Sequence, residues 1–221
     1  MSTSRPAALS TDLANSLRAF IPTLPGWGSP EKCVRLANLV LEAGATWYDP
    51  VSVELGVFGG RTLVGLATGH DVLRRGCVFG IDPYDVAADL EGTNAPENDA
   101  WWSKIDHESI YQGCVKMLKE TIEDPLRWTL LRLKSLDAVD LFRNVQVHIL
   151  HQDSNHSEEV SWAEINHWWP TLAHGGYWIM DDVDWPTTQK AQRLLLDLGA
   201  QVFEDYPRMD TQGAWRIYQK C

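Results

Sequence analysis

From Val51 onward, short apolar runs alternate with longer stretches whose apolar residues recur at three- and four-residue spacing. The runs Val51–Leu55, Cys77–Ile81, Thr129–Leu133, Val145–Leu150 and Tyr177–Met180 are rich in Val, Ile, Leu and Phe, as strands covered on both faces are. Between Glu158 and Leu172, the residues Trp162, Ile165, Trp169 and Leu172 predict a helix with one buried stripe, ended by Gly175-Gly176. Trp185 to Leu198 reads as a further helix, and Gln201–Asp205 with Ala214–Tyr218 as an antiparallel pair closing the sheet. The alternation predicts an α/β protein with a mainly parallel seven-stranded sheet and helices on both faces. Leu9–Phe20 and Pro30–Ala43 add an N-terminal helical layer, the second helix opening with Ser29 as cap, Pro30 in the first turn and Glu31 beside it. The expected organisation is one domain, with residues 1–50 as helical extension and 51–221 as core. The polar stretch Asp85–His107, containing Trp101-Trp102, is too long for a passive connection and is expected to act as a lid.

With 221 residues the chain can bury a sizeable core without staples, and its four cysteines show neither metal-ligand nor framework spacing. Free thiols, no apolar run of the roughly 18 residues needed to span a bilayer and no secretory pattern at the start predict a cytoplasmic protein with no membrane partner. A formal charge of −11 without a basic patch argues against nucleic acid as a partner. Eleven tryptophans suit an apolar or ring-bearing small molecule, although core packing accounts for most of them.

The turn Glu54-Leu55-Gly56-Val57-Phe58-Gly59-Gly60-Arg61-Thr62 joins the first strand to a helix, and its glycines let backbone approach a ligand. The dinucleotide fingerprint is not met. An acid inside the turn would repel a pyrophosphate but attract the amino group of a methionine moiety, which favours S-adenosylmethionine. Asp82 closes the second strand one unit later, where a carboxylate can accept bonds from ribose hydroxyls. His151-Gln152-Asp153-Ser154-Asn155-His156 follows the fourth strand and Asp181-Asp182 the fifth, both at the carboxyl edge of the sheet. Two readings of these acids stay open. Asp153 and Asp181 serve as helix caps, or Asp153, Asp181 and Asp182 converge on a hard divalent cation, Mg²⁺ before others. His156 is either a solvated residue at a helix start or a base that takes a proton from a nearby substrate oxygen.

At these residues the sequence resembles the metal-dependent O-methyltransferases of the class I S-adenosylmethionine-dependent group, including the catechol enzymes and, more closely, a bacterial branch acting on sugars and other natural products. The resemblance runs from about Gly26 to Asp184 and implies a Rossmann-like fold. It also implies cofactor contacts at Glu54, Gly56, Gly60, Thr62, Asp82 and Ser135, with Thr62 on the methionine carboxylate, Asp82 on ribose and Ser135 near adenine. Asp153, Asp181 and Asp182 match the metal ligands, and His156 stands where the catechol enzymes carry a lysine base. A small-molecule hydroxyl acceptor and a homodimer are further implications. One departure is marked: the common D-G-D-H run appears as Asp153-Ser154-Asn155-His156, which loses the second acid.

The expected chemistry is deprotonation of an acceptor hydroxyl by His156, with Asp153, Asp181 and Asp182 carrying the ion that positions it. Two rivals stand beside it: a metal-independent transferase using His156 and Asp153 as a base pair, and an adenosyl-ligand-binding protein without transfer activity. A nicotinamide oxidoreductase is more distant.

Overall fold

The computed structural model describes residues 8–93, 96–209 and 213–221. Its sheet has seven strands: β1 Val51–Leu55, β2 Cys77–Ile81, β3 Trp128–Leu131, β4 Val147–Gln152, β5 Leu172–Met180, β6 Ala200–Tyr206 and β7 Trp215–Lys220. They lie in the order β3-β2-β1-β4-β5-β7-β6, with β7 antiparallel to both neighbours and the rest parallel. The described helices are α1 Thr11–Phe20, α2 Pro30–Thr46, α3 Arg61–Leu73, α4 Val86–Asp89, α5 Pro96–Trp102, α6 His107–Thr121, α7 Ser135–Ala138, α8 Glu158–Trp168 and α9 Gln189–Asp197. Two buried clusters cover the sheet. One is built from α1, α2, α3 and α6 against Val78, Ile149, Ile179 and Ile217, the other from α7, α8 and α9 against Val53, Leu55, Leu150 and Trp178.

The strand order reverses between β1 and β4, which opens a crevice at their carboxyl ends. Helix α2 reaches this crevice because α3 lets it come close. A Cβ at Gly65 would lie 2.7 Å from the Cys33 carbonyl, and one at Gly69 2.7 Å from that of Ala37. Along α2, Lys32 shares the stripe of Leu36, Leu39 and Val40, so the contact that buries those residues buries Lys32 as well.

Several expected boundaries shift. Helix α8 ends at Trp168 because Pro170 cannot continue it, and a 3-10 turn Trp169–Thr171 leads into a strand that starts at Leu172. Gly175-Gly176 therefore lies inside β5, at the register shift against β4, rather than ahead of it. Trp162 is 39% exposed rather than buried, with Lys190 over its ring, and the buried face of α8 is Ser161, Glu164, Ile165 and Trp168. The segment expected as a loop over 85–107 carries α4 and α5. No described helix is long and apolar enough to cross a membrane.

Candidate active site

Asp82, Asp153 and Asp181 are each the first residue beyond a strand, and each still donates its N–H into the ladder: Asp82 to Leu131 O (3.1 Å), Asp153 to Leu55 O (2.8 Å) and Asp181 to Gln152 O (3.1 Å). The sheet thereby aims three carboxylates into one cavity of about 820 Å³. Its wall includes Gly56, Thr62, Asp82, Asp153, His156, Asp181 and Asp182. Phe58, Tyr84 and Asp182 hold positive φ angles of 48°, 50° and 47° around it, the backbone strain that functional sites tend to store.

The glycine turn fits under the acid loop because Gly56 has φ +81° and no side chain; a Cβ there would stand 2.2 Å from the Asp153 carbonyl oxygen. Gly60, also at positive φ, caps α3 against Cys114 and Met117 and leaves the N–H groups of the first turn free of a side-chain cap. Asp82 does more than the sequence implied. Its carboxylate accepts N–H groups from Val57 (2.9 Å), Phe58 (2.9 Å) and Tyr84 (2.7 Å), bracing the turn and leaving about one of its four lone-pair sites for a ribose hydroxyl.

Glu54 lies one layer below the cavity wall, fully buried, where it accepts the Thr62 hydroxyl. Thr62 thus reaches the cavity with its donor already engaged, and the first-turn N–H groups of α3 are the donors left for a carboxylate. Ser135 turns its hydroxyl towards Glu164, while Lys134, Leu136 and Asp137 line the cavity around it.

Beneath the acids lies a buried cluster of charged groups that sequence reasoning missed. His151, at the end of β4, places Nδ1 3.4 Å from Glu54 Oε1 and Nε2 3.6 Å from Asp181 Oδ1. The Lys32 ammonium hydrogen-bonds the same Asp181 oxygen. Burial and the Lys32 charge oppose protonation of His151, but Asp181 and Glu54 outweigh them and raise it to about 9. Burial likewise opposes the Lys32 charge, and Asp181 and Asp153 hold it above the usual lysine value. Against burial, Lys32 and His151 keep the Asp181 carboxyl well below the usual carboxylate range, whereas burial and the neighbouring Asp181 charge push Asp153 up. Both missed residues left a trace, since Lys32 is a charge on an apolar helix stripe and His151 a titratable group in a strand buried at every position.

His156 sits above this layer, 3.7 Å from Asp153 Oδ1 and 3.5 Å from Asp182 Oδ2, with Trp185 beside its ring at 5.4 Å. Ligand atoms of His151, Asp153 and Asp181 lie within 4.8 Å of one another. Asp182, expected as the third ligand, is not in this group; its Oδ2 faces His156 instead. Asn155, where the expected second acid is missing, has a task that only a donor can perform: its amide bonds the carbonyls of Ala88 (3.2 Å), Asp89 (3.1 Å) and Glu91 (2.8 Å), tying α4 to the acid loop. His107 Nε2, at the far end of the insertion, lies 3.1 Å from Asp89 Oδ2. Trp27, Phe58, Trp101 and Trp102 cluster over the turn with ring centroids 4.8–6.1 Å apart.

A parallel sheet that reverses at β1/β4, carries an antiparallel β7 inserted between β5 and β6 and gathers strand-end acids in one crevice defines the class I methyltransferase fold. Residues 53–183 match the family model described as a methyltransferase domain, so the chain belongs to that family of methyl-transferring enzymes. Solved structures agree on the fold. A Corynebacterium glutamicum protein is 17% identical with a TM-score of 0.61, covering 100% of this chain and 92% of its own. The O-methyltransferase NovP is 17% identical, TM-score 0.58, covering 87% and 80%. An O-methyltransferase from Bacillus cereus, solved in complex with SAH, is 15% identical, TM-score 0.60, covering 96% and 92%. Among curated proteins no sequence matches.

Proposed function

We propose that the protein is an S-adenosylmethionine-dependent O-methyltransferase acting on a hydroxyl of a small molecule, a sugar or other natural product, with Mg²⁺ at Asp153, Asp181 and Asp182. The observation that carries this reading is the convergence of Asp82, Asp153, Asp181 and His156 on one cavity floored by the glycine turn. The SAH complex of the Bacillus cereus enzyme supports the cofactor. When bound, S-adenosylmethionine supplies an electrophilic methyl on a sulfonium.

The chain's own groups bind and orient. The α3 N-terminus receives the carboxylate end, the remaining lone pair of Asp82 takes a ribose hydroxyl, and Lys134, Leu136 and Asp137 border the far end. His156 takes the proton from the acceptor oxygen, its ring held between the carboxylates of Asp153 and Asp182. The insertion helices and the aromatic cluster exclude water. The acid set fits a hard divalent ion, since Asp153 and Asp181 offer carboxylate oxygens from the ends of the adjacent strands β4 and β5 and Asp182 follows directly in the same cavity. Such an ion would supply Lewis acidity towards the acceptor hydroxyl.

A second reading, in which His156 and Asp153 act without metal, is favoured by the Lys32 ammonium already on Asp181. The net charge of −11 fits a small acceptor rather than nucleic acid, and we place the enzyme in the cytoplasm, as a homodimer. Mass spectrometry of a panel of sugar, catechol and polyketide hydroxyls incubated with S-adenosylmethionine should show a gain of one methyl on oxygen. Loss of that product with excess chelator supports the ion, full retention supports the second reading, and no methylation of any hydroxyl would remove O-methyl transfer.

A further inference from the structure

Lys32 has no part in the chemistry above, yet its setting demands an explanation. Its side chain is 1% exposed, and lysines are almost never so buried unless paired. It also lies in the first turn of α2, the end of a helix at which a positive charge is disfavoured. What holds it there is the acid cluster: Asp181 by hydrogen bond, Asp153 by charge, with the Trp215 ring 5.5 Å away on another side.

We propose that Lys32 is the resident counter-cation of the acid cluster and competes with a divalent ion for Asp181, so that the site stays assembled without metal and binds divalent ions weakly. The inference rests on the reading of Asp153, Asp181 and Asp182 as metal ligands. Two charges sharing one carboxylate repel each other, and in a buried site that repulsion is poorly screened. With the ammonium gone, only His151 remains beside Asp181 to offset the carboxylates, and a divalent ion gains as their neutraliser. Lys32 is in this sense a positioning residue. It fixes Oδ1 of Asp181, a residue of the cavity wall.

The test uses Mn²⁺, followed by the paramagnetic resonance signal of the free ion, with Lys32→Met and Lys32→Gln beside the unaltered protein. Both variants should bind Mn²⁺ at least tenfold more tightly than the unaltered protein, and Mn²⁺ should raise their melting temperatures further than its own. Folding of a variant only when Mn²⁺ is present also supports the proposal. Affinity that is unchanged or weaker in both variants would overturn it, as would failure of both to fold at any Mn²⁺ concentration. SAH titration and product formation by the unaltered protein are measured separately. Absent methyl transfer with the Mn²⁺ shift intact therefore indicts the proposed function alone, and the converse result indicts the role of Lys32 alone.

Discussion

Asn155→Asp restores the acid that the D-G-D-H pattern would place there, and on this structure it should loosen the site rather than improve it. The amide offers two N–H donors to the carbonyls of Ala88, Asp89 and Glu91, so about two hydrogen bonds are at stake, worth about 1 kcal/mol each. A carboxylate offers none and turns its lone pairs on three carbonyl oxygens. The Asn155 Oδ1 contact with the Ser157 N–H, at 2.8 Å, survives the change, because aspartate can still accept it. The loss is about 2 kcal/mol, or about thirty-fold in the equilibrium between attached and detached α4. Hydrogen exchange resolved by mass spectrometry should show faster exchange over Val86–Leu90 in Asn155→Asp, with β4 and β5 unaffected. Because Ala88, Asp89 and Glu91 line the cavity, SAH affinity should fall several-fold as well. Unchanged protection of α4 would refute the assignment of Asn155 as the tether.

Other outcomes follow from the same geometry. Gly56→Ala combines a positive φ with a Cβ 2.2 Å from the Asp153 carbonyl, and should cost about 2 kcal/mol or more in urea unfolding and abolish SAH binding; retained binding would contradict the close approach. His156→Ala should lower turnover on a methylated acceptor by about 10²- to 10⁴-fold while SAH affinity stays within about twofold, and a fall in affinity instead would remove it from the proton-transfer role. His70, buried between the Ser52 hydroxyl (2.8 Å) and the Arg75 carbonyl (3.2 Å), is pushed by burial from 6.5 down to about 4. Its folded pKa is depressed, so the unfolded chain takes up the proton first and stability falls with pH between 6.5 and about 4. From pH 7 to 5 this group alone should cost about 2 kcal/mol. Urea midpoints at the two pH values should differ less in His70→Gln, and an equal slope would refute the linkage.

The periodicities of the chain fixed the alternation of strands and helices, and five expected parallel strands lie within a few residues of the observed ones. The antiparallel pairing of β6 with β7 was expected as well, whereas strand order, the insertion of β7 between β5 and β6 and the extended start of β5 came from pairing between distant segments. Local pattern missed α4 and α5 because short polar helices carry almost no apolar stripe to reveal them. Trp162 illustrates the same limit, since its spacing suited a buried stripe, but α8 packs through Ser161, Glu164, Ile165 and Trp168 and leaves Trp162 at the surface.

At the site, the sequence alone placed Gly56, Asp82, Asp153, His156, Asp181 and Asp182 at strand ends, because a parallel sheet sends the residues after its strands to one edge whatever the details of packing. Only the tertiary structure decided what those residues touch. Asp82 braces a turn, Glu54 lies beneath the wall, Asn155 holds the insertion, and Lys32 arrives on Asp181 from a helix 149 positions away in the chain. Such partnerships depend on which side chains the packed layers bring together, and that is a property of three-dimensional neighbours that spacing along the chain does not encode.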